Sequence, residues 1–263
     1  MDAGAHLGPR SDETLDLLFD ERVALVQSRR GYRTSVDALV LAWAGTQLVA
    51  GDAPTRGMDL GCGVGLVGIL AALALPHSVW TLVDVQPPQL ERAGRNARLN
   101  GVAERCTLAL ADVAQVAPAG LFDLVLCNPP FRPAARHPLS ANRERQLSNF
   151  ESTASLERFV EVAVASLAPA GRVVLIYPWA ARQRACAALA AASARVAVCA
   201  VRHRPNSPVL RAVVIGDRDA DVRPLGACPA ELVLHPANQP DSVYCAEISG
   251  FFERLGSAGR RAG

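Results

Sequence analysis

From Gly57 onward, short apolar runs alternate with segments of helical periodicity, and this alternation constrains the fold more than any other feature of the chain. Strands are expected at 57–60, 79–84, 106–110, 121–127 and 172–177, with helices between them near 66–75, 87–100 and 155–167. Strands that are apolar throughout need cover on both faces. The helices between them supply it, which is the pattern of a mostly parallel α/β sheet. Beyond Ala180 come an alanine-rich helix, strands near 195–203 and 209–216, and a last strand-like pair at 231–234 and 242–248 that includes Tyr244. Ahead of the alternation, 14–19 and 23–27 read as two short strands around a polar turn. A helix follows with Ser35 as N-cap and Val36, Leu39, Val40 and Trp43 on one face. The expected organisation is an N-terminal extension over 1–50 packing on the core, one α/β domain over 51–255, and a disordered tail over 256–263.

Composition narrows the function classes. Half of the 263 residues are hydrophobic and 20% are charged, the profile of a soluble globular chain, and no apolar run reaches membrane-spanning length. The first residues lack the basic-then-apolar layout of a secretion signal, so a cytoplasmic location is expected. Seven scattered cysteines form no CxxC pair, and the five histidines stand apart from one another and from cysteine, so neither a disulfide framework nor a metal site is expected. A formal charge of +2 excludes a strongly polycationic binder but not a local basic patch. Every basic residue is Arg, so a lysine nucleophile or Schiff base is ruled out.

The stretch Asp59-Leu-Gly61-Cys-Gly63-Val-Gly65-Leu-Val-Gly68 follows a strand and opens a helix. Glycines there permit a sharp turn and close approach of a ligand to the free N–H groups of a helix start. Gly63, Gly65 and Gly68 also satisfy the dinucleotide fingerprint GxGxxG, and Asp84 at the next strand end could hold ribose hydroxyls of either cofactor. Asp59 favours a ligand carrying an ammonium or sulfonium, because a pyrophosphate would be repelled. The loop therefore leans to S-adenosylmethionine (SAM) over NAD; a glycine-rich turn with no ligand is the blander reading.

Asn128-Pro129-Pro130-Phe131 follows the fourth strand directly. Two prolines stiffen the chain and remove N–H donors, so the local backbone offers acceptors only. The side-chain carbonyl of Asn128 and the main-chain carbonyl of Pro129 could accept both hydrogens of a planar NH2 group, while Phe131 offers a flat face. Such acceptors stabilise the positive charge that develops as the nitrogen is methylated. A proline-rich turn with Phe131 in the core is the blander reading here, but a place at the carboxyl edge beside a glycine loop argues for a site.

These residues carry a family. DLGCGVGLVGI, VDVQ, the Asn96/Asn100 pair, the stretch around Asp112 and NPPF resemble class I SAM-dependent methyltransferases that act on amino groups. The upstream Gly31-Tyr-Arg-Thr-Ser-Val-Asp37 stretch is similar to a segment of the bacterial tRNA(Val) adenine-N6 methyltransferase family, which acts on the adenosine 3′ to the anticodon. The resemblance implies a Rossmann-like fold with a mostly parallel seven-stranded sheet, SAM as cofactor and tRNA as partner through its anticodon loop. It further implies that Asp59, Gly61 and Gly63 line the methionine end of SAM. Asp84 would take the ribose hydroxyls and Asp112 the amine of the cofactor's adenine, with Val85 and Val113 also against the cofactor. Asn128, Pro129, Pro130 and Phe131 would hold the target base, and Asn128 with Tyr32, Arg33, Thr34 and Asp37 would lie against the cofactor. The sequence departs from the family after Phe131, where Ala135-Arg136-His137 leads into a long polar loop over 138–149.

The remaining candidates have two readings each. Arg132, Arg136, Arg143 and Arg145, with Arg29, Arg30 and Arg33, could form a phosphate-binding rim or a solvated surface. Arg202-His203-Arg204 reads as an exposed strand end rather than a binding site, and Cys62 and Cys127 as buried small side chains. The expected reaction is transfer of a methyl group to the N6 of adenine in tRNA. N5-methylation of a protein glutamine competes with it, because that chemistry uses a similar clamp, usually ending in Tyr. N2-methylation of guanine in rRNA competes as well, and hydride transfer by an NAD-dependent oxidoreductase is a more remote possibility.

Overall fold

A computed structural model describes residues 7–31, 33–49, 53–115, 120–131, 154–193, 195–218 and 228–256. The N-terminal strands β1 (Glu13–Leu18) and β2 (Val23–Ser28) form an antiparallel hairpin, followed by α1 (Val36–Gln47). Ser35 caps α1, its side chain accepting from the Asp37 N–H, as expected. The alternation then gives β3 (Thr55–Leu60), α2 (Leu66–Ala74), β4 (Ser78–Asp84), α3 (Pro87–Leu99), β5 (Cys106–Leu110) and β6 (Phe122–Cys127). It continues with α4 (Leu156–Ala165), β7 (Leu167–Pro178), α5 (Arg182–Ala192), β8 (Arg195–Arg202), β9 (Val209–Asp217), β10 (Glu231–Val233) and α6 (Ala246–Leu255).

The main sheet has eight strands in the order β10-β8-β9-β7-β6-β3-β4-β5. Only the β7–β9 and β8–β9 pairings are antiparallel. Alternate residues of each strand face opposite layers: Leu124 and Leu126 of β6 and Val174 and Ile176 of β7 pack with α1, α2 and α6. Their neighbours Val125, Cys127, Val173 and Leu175 pack with α4 and α5. Trp80, 1% exposed, lies across Gly57, where an added Cβ would meet the indole at 2.6 Å, so that crossing needs glycine. The chain runs β3–β4–β5 outward and returns to place β6 on the other side of β3, so the sheet's switch point lies between β3 and β6.

Two expectations are corrected. The sheet has eight strands rather than seven, because β10 adds in parallel to β8. Residues 242–248 are not a strand: they lead into α6, whose buried Ile248, Phe251, Phe252 and Leu255 recur at helical spacing. The apolar stripe extends past the window that resembles a strand.

The hairpin is tied to the core by side chains that imitate a strand partner. Asn96 Oδ1 accepts from the Val26 N–H at 2.7 Å, while its Nδ2 donates to the Val26 and Val64 carbonyls. One turn on, Asn100 accepts from the Ala24 N–H and donates to the Ala24 carbonyl. The pair singled out in the sequence thus joins β2, α3 and the glycine loop. Glu13 is buried against Arg92 and Arg95. Burial would raise its carboxyl, but hydrogen bonds from Arg95, the Arg10 backbone N–H and Arg92 hold it down at about 2. Among the described residues, no helix is long and apolar enough to cross a membrane.

Candidate active site

The switch point opens a cavity at the carboxyl ends of β3, β4 and β6, where ligands bind in open α/β sheets. The backbone of the glycine loop is set by the next strand: the Gly61 and Cys62 N–H groups both donate to the Val83 carbonyl, at 2.9 and 2.8 Å. Gly61, Gly63 and Gly65 have φ of 78°, 55° and 84°, a region open to glycine at little cost. Two carboxylates brace the turn. Asp84 accepts from the Gly63 N–H through Oδ2 and from the Gln86 N–H through Oδ1, both at 2.8 Å. Asp59 Oδ2 accepts from the Gly68 N–H at 2.9 Å. Burial pushes Asp59, 1% exposed, up to about 7; the Gly68 N–H opposes the shift and the nearby Asp84 adds to it. Burial also raises Asp84, against hydrogen bonds from the backbone of Gln86, Gly63 and Val85.

Asn128 follows β6 and lines the same cavity, with Pro130 beside it. Its Oδ1 is buried and, among the described residues, has no hydrogen-bond partner. A buried acceptor left unmade costs about 1–3 kcal/mol, which an arriving N–H donor recovers. The half-buried Phe131 ring meets Tyr177 edge-on, with centroids 5.4 Å apart and planes at 83°. From β9, on the far side of β7, the Arg211 guanidinium carbon lies 5.7 Å from the Phe131 centroid.

Of the residues expected to meet the cofactor, the cavity is lined by Thr34, Asp59, Gly61, Gly63, Asp84, Val85, Val113 and Asn128. Others point elsewhere. Arg33 pairs with Asp16 at 2.6 Å and with Thr14 in the hairpin. Asp37 is buried in an ion pair with Arg211, Nε to Oδ2 at 3.0 Å. Asp112 is outside the lining; its Oδ1 accepts from the Ala114 N–H and so shapes the turn that carries Val113. Tyr32 and the arginines at 132, 136, 143 and 145 lie outside the described residues, as does the 138–149 loop. Arg29 and Arg30 are exposed at the end of the hairpin. Burial raises the thiols of Cys62 and Cys127 far above their ordinary value, which suits packing rather than nucleophilic chemistry. Among the described residues, no group of three or more His, Cys, Asp or Glu could hold a metal.

Two lining residues escape sequence reasoning. Phe159 reaches the cavity from α4, close enough that a Cβ on Gly61 would lie 3.2 Å from its ring. Gln89, in the first turn of α3 and 2% exposed, has a buried Oε1 without a partner.

The arrangement suits SAM. Acidic groups buried beside an N–H-rich turn match a ligand with both cationic and hydroxyl groups, and the unmade acceptor of Asn128 opens onto the same space. A doubly wound sheet with this loop at its switch point and an Asn-Pro-Pro-Phe turn on the adjoining strand defines a Rossmann-like methyltransferase fold. Residues 44–202 match the methyltransferase small domain family, and the chain belongs to it. It is 30% identical over 169 residues to a tRNA1(Val) (adenine(37)-N6)-methyltransferase of Porphyromonas gingivalis; the match spans 62% of this chain and 65% of that protein. It is 40% identical over 76 residues to a ribosomal protein uL3 glutamine methyltransferase of Bordetella pertussis, covering 29% of this chain and 26% of the relative. In fold it is similar to a predicted O-methyltransferase of Agrobacterium tumefaciens, with TM-score 0.64 and 21% identity over 84% of this chain and 97% of the other.

Proposed function

We propose that the chain transfers a methyl group from SAM to the exocyclic N6 of an adenine in tRNA, in the anticodon loop. The observation that carries this reading is the buried, unpartnered Oδ1 of Asn128 at the mouth of a cavity braced by Asp59 and Asp84. When bound, SAM supplies a methyl group on a sulfonium. Asp59, Gly61 and Gly63 hold its charged end and Asp84 its ribose. Asn128 Oδ1 accepts one N6–H and the Pro129 carbonyl the other, turning the lone pair toward the methyl group as the nitrogen pyramidalises. Phe131, steadied edge-on by Tyr177, stacks on the extruded base and offsets part of the cost of unstacking it. The methylated nitrogen then sheds its proton to water. The named relative in Porphyromonas gingivalis supports adenine in tRNA.

A second reading, N5-methylation of a protein glutamine, draws support from the shorter but more identical match to the uL3 enzyme. The test is incubation of the purified protein with labelled SAM and, in parallel, unmodified bacterial tRNA and ribosomal and release-factor proteins, followed by mass spectrometry of nucleosides and peptides. Labelled N6-methyladenosine is expected. Label found only in ribosomal or release-factor protein would overturn the RNA reading.

A further inference from the structure

A second, smaller cleft lies beside the clamp, at the same edge of the sheet, and Arg211 separates the two. Its floor is Val40, Val201 and Leu234, all buried. Its rim carries two large aliphatic side chains that the fold leaves in water, Val36 at 39% and Leu210 at 50% exposure. Arg202, His203 and Arg211 stand around them, and each faces a carboxylate, Glu231, Asp241 and Asp37 in that order. Arg211 belongs to both places: it lines this cleft and lies over the Phe131 ring, held there by the buried carboxylate of Asp37.

We propose that this cleft is a subsite for the nucleotide next to the one whose base is held at Phe131. The proposal rests on the RNA reading of the clamp. Apolar surface bordered by guanidinium planes suits a base, whose faces are apolar and stack on aliphatic and guanidinium surfaces alike. Continuity supplies the direction. A single strand that turns its target base onto Phe131 and leaves the site on this side passes Arg211, and among the described residues the cleft lies directly beyond it. Leu210 is the second residue of β9 and Val36 the first of α1, and both side chains are exposed, so neither supports the core.

The test compares Leu210→Ser, Leu210→Trp and the wild type by KM for tRNA, by tRNA binding at several salt concentrations, and by SAM affinity. Leu210→Ser is expected to raise the KM roughly fivefold, the low end of what one stacked base contributes. The salt slope should stay put, because no phosphate contact is lost. Leu210→Trp, which offers a ring to stack on, is expected to lower the KM, a direction that a damaged fold does not produce. An unchanged KM in both variants overturns the subsite while leaving the clamp reading intact. A KM change matched by an equal change in SAM affinity also overturns it, since the effect then came through the cofactor cavity. A wild type that methylates no RNA overturns both readings together.

Discussion

On the glycine-loop side of the cavity, buried acceptors are used by the chain itself: Asp59 takes the Gly68 N–H, and Asp84 takes those of Gly63 and Gln86. On the clamp side, Asn128 Oδ1 is equally enclosed, yet among the described residues nothing donates to it. The difference follows from what each side does. A cofactor pocket keeps its shape between turnovers only if its turn is held by internal bonds. An acceptor that stabilises a transition state works best when it is fixed in place and unoccupied until the reacting N–H arrives. One side is therefore organised by satisfied groups and the other by an unsatisfied one.

Asn128→Ala should expose this division most sharply. Methyl transfer is expected to fall by about 10²- to 10³-fold, the usual loss when one preorganised polar group is removed from a transition state. SAM affinity, measured by calorimetry, should move by less than about twofold, because the glycine loop keeps its own bonds. If affinity fell as far as turnover, the two sides would not be separable. Asp84→Ala tests the other half. It strips partners from two N–H groups that shape the turn, so cofactor binding should weaken by about 10- to 100-fold. Turnover at saturating SAM should change much less, and a dominant loss there would break the comparison.

Asp59 makes the same point through pH. Burial holds its carboxyl up at about 7, above the ordinary 3.8. Its contribution to stability is therefore full in acid and lost as pH rises through 7, where the ionised group is enclosed without a cation. A cationic ligand reverses that preference, so binding should release a proton and SAM affinity should gain about tenfold between pH 6 and 8. Calorimetry in buffers of different ionisation enthalpy measures that proton directly. In Asp59→Asn both trends should flatten; a pH profile that survives the substitution would assign it to another group.

Local chemistry explains why much of this is legible in the amino-acid sequence. A glycine turn between strand and helix, an acidic strand end and a diproline turn are written in adjacent residues, and all three meet at the cavity. Asn96 and Asn100 stand one helical turn apart, and they bond to β2 as a pair. What distance in the chain separates is not legible. Asp37 resembles a cofactor contact in its local motif, but its partner is Arg211, 174 residues away. Phe159 and Gln89 reach the cavity from helix faces that periodicity reads only as packing. At the far end, α6 reads as a strand in a short window, because its stripe emerges only when Phe251, Phe252 and Leu255 are counted with Ile248.

Gln89 is the exception on the glycine-loop side, and it gives the smallest predicted effect and the sharpest test. Its Oε1 is buried against the cavity and, like the Oδ1 of Asn128, meets no donor among the described residues, on a helix whose Arg92, Arg95 and Asn96 all engage partners. Gln89→Leu keeps the volume and removes the unmet acceptor. If that oxygen waits for a hydroxyl or amine of the cofactor, the substitution should act in opposite directions on two measurements. The cofactor-free protein should gain about 1 kcal/mol and melt higher, since a buried polar group without a partner is removed. SAM binding should weaken by about fivefold, one hydrogen bond's worth. A substitution that lowers the melting temperature and leaves SAM affinity alone would show that the oxygen is met from within the chain or by water. The glycine-loop side would then be satisfied throughout, and Asn128 would stand alone as the open acceptor of the cavity.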